Sequence, residues 1–125
     1  MSNLFAAIIE GESDLAVIFD KALQDAGFDT QVIQSGDEAL KYLSSATPDV
    51  VVLDLHLPRV SGEDILHQIR TDARLADTRV IVATADPRMA EMLNDQADLV
   101  LIKPVSFGQL RDLSARLGFT PPSNE

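Results

Sequence analysis

Short apolar runs alternate along the chain with stretches in which apolar residues return every three or four positions. The runs are LFAAII (4–9), TQVI (30–33), VVVLDL (50–55), RVIVAT (79–84) and LVLI (99–102). Their length and β-branched content predict strands. In the third, Val50 to Leu53 follow one another with no polar alternation, as in a parallel strand covered on both faces. After the first run, Leu15, Ile18, Phe19, Ala22, Leu23 and Ala26 step by three and four and make one helical face. Gly27 follows, where a helix would end in the left-handed conformation. Ala39, Leu40 and Leu43 repeat the pattern, as do Ile65, Leu66 and Ile69, and later Leu110, Leu113 and Leu117. The fourth helix, about 87–95, is the weakest. Its apolar side is Met89, Met92 and Leu93, with the methionines read as core filler.

Helix starts carry their own marks. Ser35 with Glu38, Ser61 with Asp64, and Ser106 with Gln109 have the spacing of reciprocal capping. Asp86-Pro87 reads as a cap followed by proline at the first helical position. The order is strand then helix, five times over. Right-handed crossovers close that order into an α/β fold, a (βα)5 doubly wound three-layer sandwich around a parallel five-stranded sheet. One domain is expected over residues 1–118, followed by a flexible tail at 119–125 whose TPPSNE cannot continue a helix. Met1 and the polar tail read as the ends of a complete protein.

Composition then removes whole classes of function. Hydrophobic residues make up 46% of the 125, with one Tyr, five Phe and no Trp, so the core is aliphatic. A net charge of −10 argues against a non-specific nucleic-acid binder, which needs Lys and Arg against phosphate. It argues equally against adhesion to anionic membranes. The absence of cysteine excludes disulfides, thiolate metal sites and cysteine nucleophiles. MSNLFAAIIEG has no basic leader and too short an apolar stretch for a signal peptide. No run approaches the ~20 apolar residues of a membrane span. A soluble cytoplasmic protein is expected.

In an open parallel sheet, ligands bind beyond the carboxyl ends of the strands. Those ends can be read off. Strand one ends in Glu10-Gly11-Glu12, strand three in Asp54-Leu55-His56, strand four in Thr84-Ala85-Asp86 and strand five in Lys103-Pro104. Acids, a hydroxyl and an amine thus converge on one edge. Clustered carboxylates take a proton or bind a cation, and a hard divalent ion prefers oxygen ligands. The set suits phosphoryl transfer to a carboxylate, with lysine and threonine holding phosphate oxygens. Each residue alone has a plainer reading. Asp54 would be a turn residue, Thr84 a β-branched strand residue and Lys103 a surface lysine. For Glu10 and Glu12 the rival is a solvated acidic loop. His56 and His67 read as surface histidines, with no second ligand at zinc spacing.

Over residues 4 to 117 the chain resembles the receiver domain of bacterial response regulators. The residues that carry the likeness are VVVLDLHLPRVSG (50–62), VIVATA (80–85) and LIKP (101–104), together with IIEGES (8–13). The resemblance implies the CheY-like strand order 2-1-3-4-5 and a non-enzymatic signalling module of a two-component system. It makes Asp54 the aspartate that accepts a phosphoryl group from a histidine kinase or phosphotransfer protein. Thr84 and Lys103 match the hydroxyl and amine that contact that group, and Lys103-Pro104 is expected to be cis. Magnesium is the implied cofactor, held by Glu10, Asp54 and the backbone carbonyl of His56, whose side chain is not implied. Pro58 and Gly62 match the turn into the third helix. Receivers often pair through the fourth and fifth helices, so a homodimer there is the implied self-association.

Two positions depart from the family pattern. Gly11 stands where a second acid usually binds the ion directly. Its loss is expected to weaken magnesium binding by at least about tenfold, ~1.4 kcal/mol. Glu12 is the substitute ligand nearest in sequence, although a shift of one residue at a strand end turns a side chain elsewhere. Val100 stands where an aromatic ring usually swings with the threonine; its single stiff torsion allows no such swing. Two functions follow. One is a stand-alone phosphoacceptor signalling by contact with a downstream protein. The other is a degenerate pseudo-receiver, a binding module that works without phosphorylation. A flavin or nucleotide enzyme on a related sheet is the third class. It would need an amide-rich phosphate loop after strand one, where EGESD presents three carboxylates.

Overall fold

Alternation along each strand decides which core every residue enters. The computed structural model describes residues 4–118. Five strands, β1 (Leu4–Ile9), β2 (Phe28–Ile33), β3 (Val50–Asp54), β4 (Arg79–Thr84) and β5 (Leu99–Ile102), form one sheet in the order β2-β1-β3-β4-β5. Every pairing is parallel. The connecting helices are α1 (Ser13–Asp25), α2 (Gly36–Leu43), α3 (Gly62–Thr71), α4 (Pro87–Leu93) and α5 (Phe107–Gly118), with a short 3-10 turn at Ala73–Leu75. Ala7, Ile9, Val51, Leu53, Val80 and Val82 pack on the face covered by α2 and α3. Their neighbours Ala6, Ile8, Val50, Val52, Ile81, Ala83 and Leu101 pack on the opposite face, under α1 and α5. Two cores flank one sheet, the (βα)5 three-layer sandwich and the strand order that the sequence implies.

The elements largely follow the sequence, with instructive shifts. β2 begins at Phe28, earlier than its apolar run, because Phe28 itself is buried. On α1 the buried stripe is Ala16, Phe19, Ala22 and Leu23; Ile18, expected on that face, is 40% exposed. Periodicity fixes the spacing of a stripe but not which of its edges is covered, and the short Ala16 lies against the core in place of Ile18. Gly27 takes φ 102 after the last turn, as a left-handed terminus requires. Ser61 and Ser106 cap their helices through their hydroxyls, accepting from Asp64 N and Gln109 N at 3.2 and 3.0 Å. Ser35 makes no such bond. Asp86 caps α4 by accepting from Arg88 N, with Pro87 following. That helix ends at Leu93, its one buried residue, and Met92 is 66% exposed, so it does not serve as core filler.

At the amino ends of β4 and β5, Arg70 of α3 ties three segments together. Its Nε donates to Gln96 O (2.6 Å), Nη1 to Thr78 O (3.0 Å) and Nη2 to Asp98 Oδ2 (3.0 Å). Asp98 Oδ2 also accepts from Val80 N at 2.7 Å. The hollow beside this knot is lined in part by Arg70, Thr78, Gln96 and Asp98, the groups of the tie itself. No helix among the described residues is long and apolar enough to cross a membrane. The tail expected at 119–125 lies outside the described residues.

One buried hydroxyl is costly. Ser114, on α5, is fully buried and its Oγ has no hydrogen-bond partner. Ser114→Ala removes the desolvated group and adds helix propensity, so stability is expected to rise by about 1 kcal/mol. Urea unfolding checks it; a loss of stability would show that the hydroxyl has a role in the packing of α5.

Candidate functional site

The same alternation that sorts the two cores sorts the residues at the carboxyl edge. Glu10, Asp54 and Lys103 continue the parity of Ala6 and Ile8, Val50 and Val52, and Leu99 and Leu101. All three therefore rise on the α1/α5 side of the sheet. Thr84 continues the parity of Val80 and Val82 and belongs to the other side. Between Asp54 on β3 and Lys103 after β5 lies β4, where Ala83 pairs with Asp54. Its small side chain leaves the lysine room to cross.

Lys103 makes that crossing. Its Nζ lies 3.2 Å from Glu10 Oε1 and 3.3 Å from Asp54 Oδ1. Both carboxylate side chains are nearly sealed, at 1% and 4% exposure, while the lysine keeps 18%. His56 N donates to Asp54 Oδ1 at 3.0 Å, and Glu12 N to Glu10 Oε2 at 3.2 Å. Around them Glu10, Gly11, Glu12, Asp54, His56, Pro58, Ala85 and Lys103 line a cleft of about 410 Å³. The Lys103–Pro104 peptide is cis. His56 and His67 are exposed.

Burial governs the protonation of this cluster. Desolvation, and secondarily the charge of Asp54, push the Glu10 carboxyl up from 4.5 to about 7. Lys103 and the Glu12 amide pull the other way but do not offset the burial. Glu10 thus keeps its proton to a higher pH than an ordinary carboxyl does.

Two close backbone approaches fix the cleft wall. A Cβ on Gly62 would come within 2.5 Å of Asp54 O and of Leu55 Cα, and Gly62 N donates to Leu55 O at 3.2 Å. Gly36 packs even more tightly on Val60, and its N–H donates to Pro58 O at 3.2 Å. Between them Arg59 holds φ 74, an uncommon conformation for a residue with a side chain. The segment carrying His56 and Pro58 is pinned at both ends.

The remaining candidates lie close by without joining the cluster. Thr84 is fully buried, and its Oγ1 accepts from Asp86 N at 3.1 Å; its carbonyl accepts from Lys103 N at 2.8 Å. It supports the lysine through the main chain, and its side chain is not part of the cleft lining. Glu12 is exposed and contributes its amide to Glu10. Among the described residues no group of three or more His, Cys, Asp or Glu side chains is placed to hold a metal ion. For magnesium the chain offers Glu10, Asp54 and the His56 carbonyl, with both carboxylates already on an ammonium. That is a partial fit. The strand-end rule does not single out Ala85 as a wall of the cleft, since an alanine carries no chemistry to flag.

Asp54 is thus a sealed carboxylate with Oδ1 held by the His56 amide and the Lys103 ammonium, an arrangement that supplies a counter-charge to an anion placed there. Comparisons with known proteins place the chain in a family. The family model described as response regulator receiver domain matches residues 6–115. The probable methanogenesis regulatory protein FilR2 of Methanothrix harundinacea is 30% identical over 115 residues, covering 83% of this chain and 74% of that protein. A putative transcriptional regulator of Haloferax volcanii is 34% identical over 116 residues, covering 90% of this chain but 19% of that protein. The structure of a CheY-like receiver domain from Methylobacillus flagellatus is similar at a TM-score of 0.81 and 25% identity, covering 93% of this chain and 99% of that one. With its fold, strand order and edge residues in place, this chain belongs to the response regulator receiver domain family.

Proposed function

We propose that the chain accepts a phosphoryl group on Asp54 from a histidine kinase or phosphotransfer protein and signals by protein–protein contact. The observation that carries this reading is the Lys103 ammonium held 3.3 Å from Asp54 Oδ1 at the carboxyl edge of the sheet. With Oδ1 held by Lys103 and His56 N, Asp54 Oδ2 is the atom left to attack phosphorus. The new O–P bond forms as the P–N bond to the donor imidazole breaks. The electron pair of that bond returns to the imidazole nitrogen, and the donor leaves as neutral histidine. Lys103 holds one of the transferred oxygens. A divalent ion, when bound by Glu10, Asp54 and the His56 carbonyl, would neutralise phosphate charge.

Output would run through α4, which has Leu93 as its one buried residue. Thr84 Oγ1 would leave Asp86 N for the phosphoryl oxygens, releasing the turn that starts α4. Val100 is partly buried against the α2/α3 core, so coupling to β5 uses backbone movement. The added charge then shifts the balance between two arrangements of this region.

A pseudo-receiver is the second reading, favoured by Gly11 and by the two-carboxylate donor set. One assay separates the two. The chain is incubated with acetyl phosphate, or with a phosphorylated phosphotransfer protein, and the hydroxylamine-sensitive label is mapped by mass spectrometry. Label on Asp54, absent from Asp54→Asn, is the expected result. No label under any donor, with partner binding unchanged by Asp54→Asn, would leave the pseudo-receiver.

A further inference from the structure

The cleft holds two buried carboxylates and one ammonium that touches both, at 3.2 and 3.3 Å. Nothing else on its lining offers a carboxylate in place. Glu12 is exposed and meets Glu10 only through its amide. Position 11 carries no side chain although there is space for one. A Cβ there would stand 3.5 Å from Pro58 Cδ and 3.7 Å from both Gln34 O and His56 O, all ordinary contacts. A carboxylate at this position would therefore sit beside the His56 carbonyl.

Charge decides the consequence. A divalent ion entering between Glu10 and Asp54 meets a cation already bonded to both, in a site where burial strengthens repulsion. It must share both carboxylates with Lys103, which already holds Glu10 Oε1 and Asp54 Oδ1, and a hard cation that dehydrates reluctantly gains little from the oxygens left beside a like charge. We propose that Lys103 is the resident cation of this site, left in that role by the glycine at position 11. A phosphoryl-like anion on Asp54 is then balanced chiefly by the lysine and depends little on divalent ions. The second half of this inference rests on Asp54 being the phosphoacceptor; the first half does not.

The test is an amide-shift titration of the wild type and two variants, Gly11→Asp and Lys103→Met. Magnesium chloride is titrated alone, then beryllofluoride is titrated with and without magnesium. In the magnesium arm, both variants are expected to bind at least about tenfold more tightly than the wild type. Gly11→Asp gains by adding a ligand, Lys103→Met by removing a competitor. Wild-type magnesium binding as tight as that of Gly11→Asp would overturn the resident-cation assignment, and this arm needs no phosphoryl mimic. Gly11→Asp keeps the arm decisive if Lys103→Met fails to fold. In the mimic arm, beryllofluoride is expected to shift Asp54 and Lys103 amides of the wild type with less than about a tenfold change on adding magnesium. Binding that appears only with magnesium would overturn divalent independence while leaving the phosphoacceptor reading intact. No binding under either condition, in wild type or Gly11→Asp, would remove the phosphoacceptor reading and with it the second half of the inference.

Discussion

Gly36→Ala is expected to destabilise the protein by about 3 kcal/mol or more, although it adds one methyl group. The added Cβ would meet Val60 O at 2.1 Å, Val60 Cβ at 2.7 Å and Val60 C at 2.8 Å. These are backbone atoms and a branch point, not the end of a flexible side chain, so α2 or the 58–61 segment must move. The segment has little slack. Pro58 O already accepts from both Gly36 N and Val60 N, and Arg59 is already at φ 74. Overpacking of this kind costs a few kcal/mol where the surroundings cannot yield. Gly108→Ala is the matched control. Its Cβ meets only Arg111 Nη2, at 3.8 Å, and alanine is the better helix former, so that variant should be neutral or stabilised by up to about 1 kcal/mol. Urea denaturation of both decides the matter. A cost below about 1 kcal/mol for Gly36→Ala would mean that the cleft wall is softer than its contacts indicate.

Lys103→Met should be the most damaging change within the cleft, and its cost should depend on pH. The substitution keeps an apolar stem of similar length and removes the charge between two sealed carboxylates. Breaking such a group by deleting one partner costs about 2–4 kcal/mol, given that the lysine is partly exposed. The sign of the pH dependence follows from Glu10. Its folded value, about 7, lies above the 4.5 of an ordinary carboxyl, so between those values the folded state holds more proton than the unfolded chain. Wild-type stability from this group is full below pH 4.5 and declines as pH rises through about 7. Without Lys103 the pull that lowers Glu10 is gone, and the decline extends to higher pH. The gap between wild type and variant should therefore be largest above pH 8 and narrow toward pH 5, where a protonated Glu10 no longer opposes Asp54 (about one to two pH units on either side of 7). Thermal melts in chelator at the two pH values measure it. An equal loss at both would separate Glu10 from the lysine.

Much of this molecule can be read along the chain, where the relevant physics is local. Apolar runs mark strands, and the four unbroken apolar residues before Asp54 mark the strand covered on both faces. Asp86-Pro87 and Ser61 with Asp64 mark helix starts because capping involves neighbours two or three residues apart. Ser35 shows the limit of that signal, since its spacing is right and its hydroxyl makes no capping bond. The edge residues are also legible, because a parallel sheet gathers its strand ends. What the strand ends alone do not say is which side of the sheet each side chain takes. Counting by twos from the core places Glu10, Asp54 and Lys103 together and Thr84 opposite, but the count needs the two cores to be known. The Arg70 tie was illegible for a different reason. Its acceptors Thr78, Gln96 and Asp98 lie 8, 26 and 28 residues away, and nothing in an arginine's local surroundings announces carbonyls that far along.

That tie sets the mechanics of α4. Arg70 anchors the chain at Gln96 and Asp98, just past the helix's carboxyl end, while the amino end hangs on the Asp86 turn beside Thr84. A lever fixed at one end swings most at the other. Whatever loosens Thr84 is therefore applied at the free tip of a pivoted arm, and displacement along the outer surface should shrink steadily from Pro87 toward the hinge at residues 96–98.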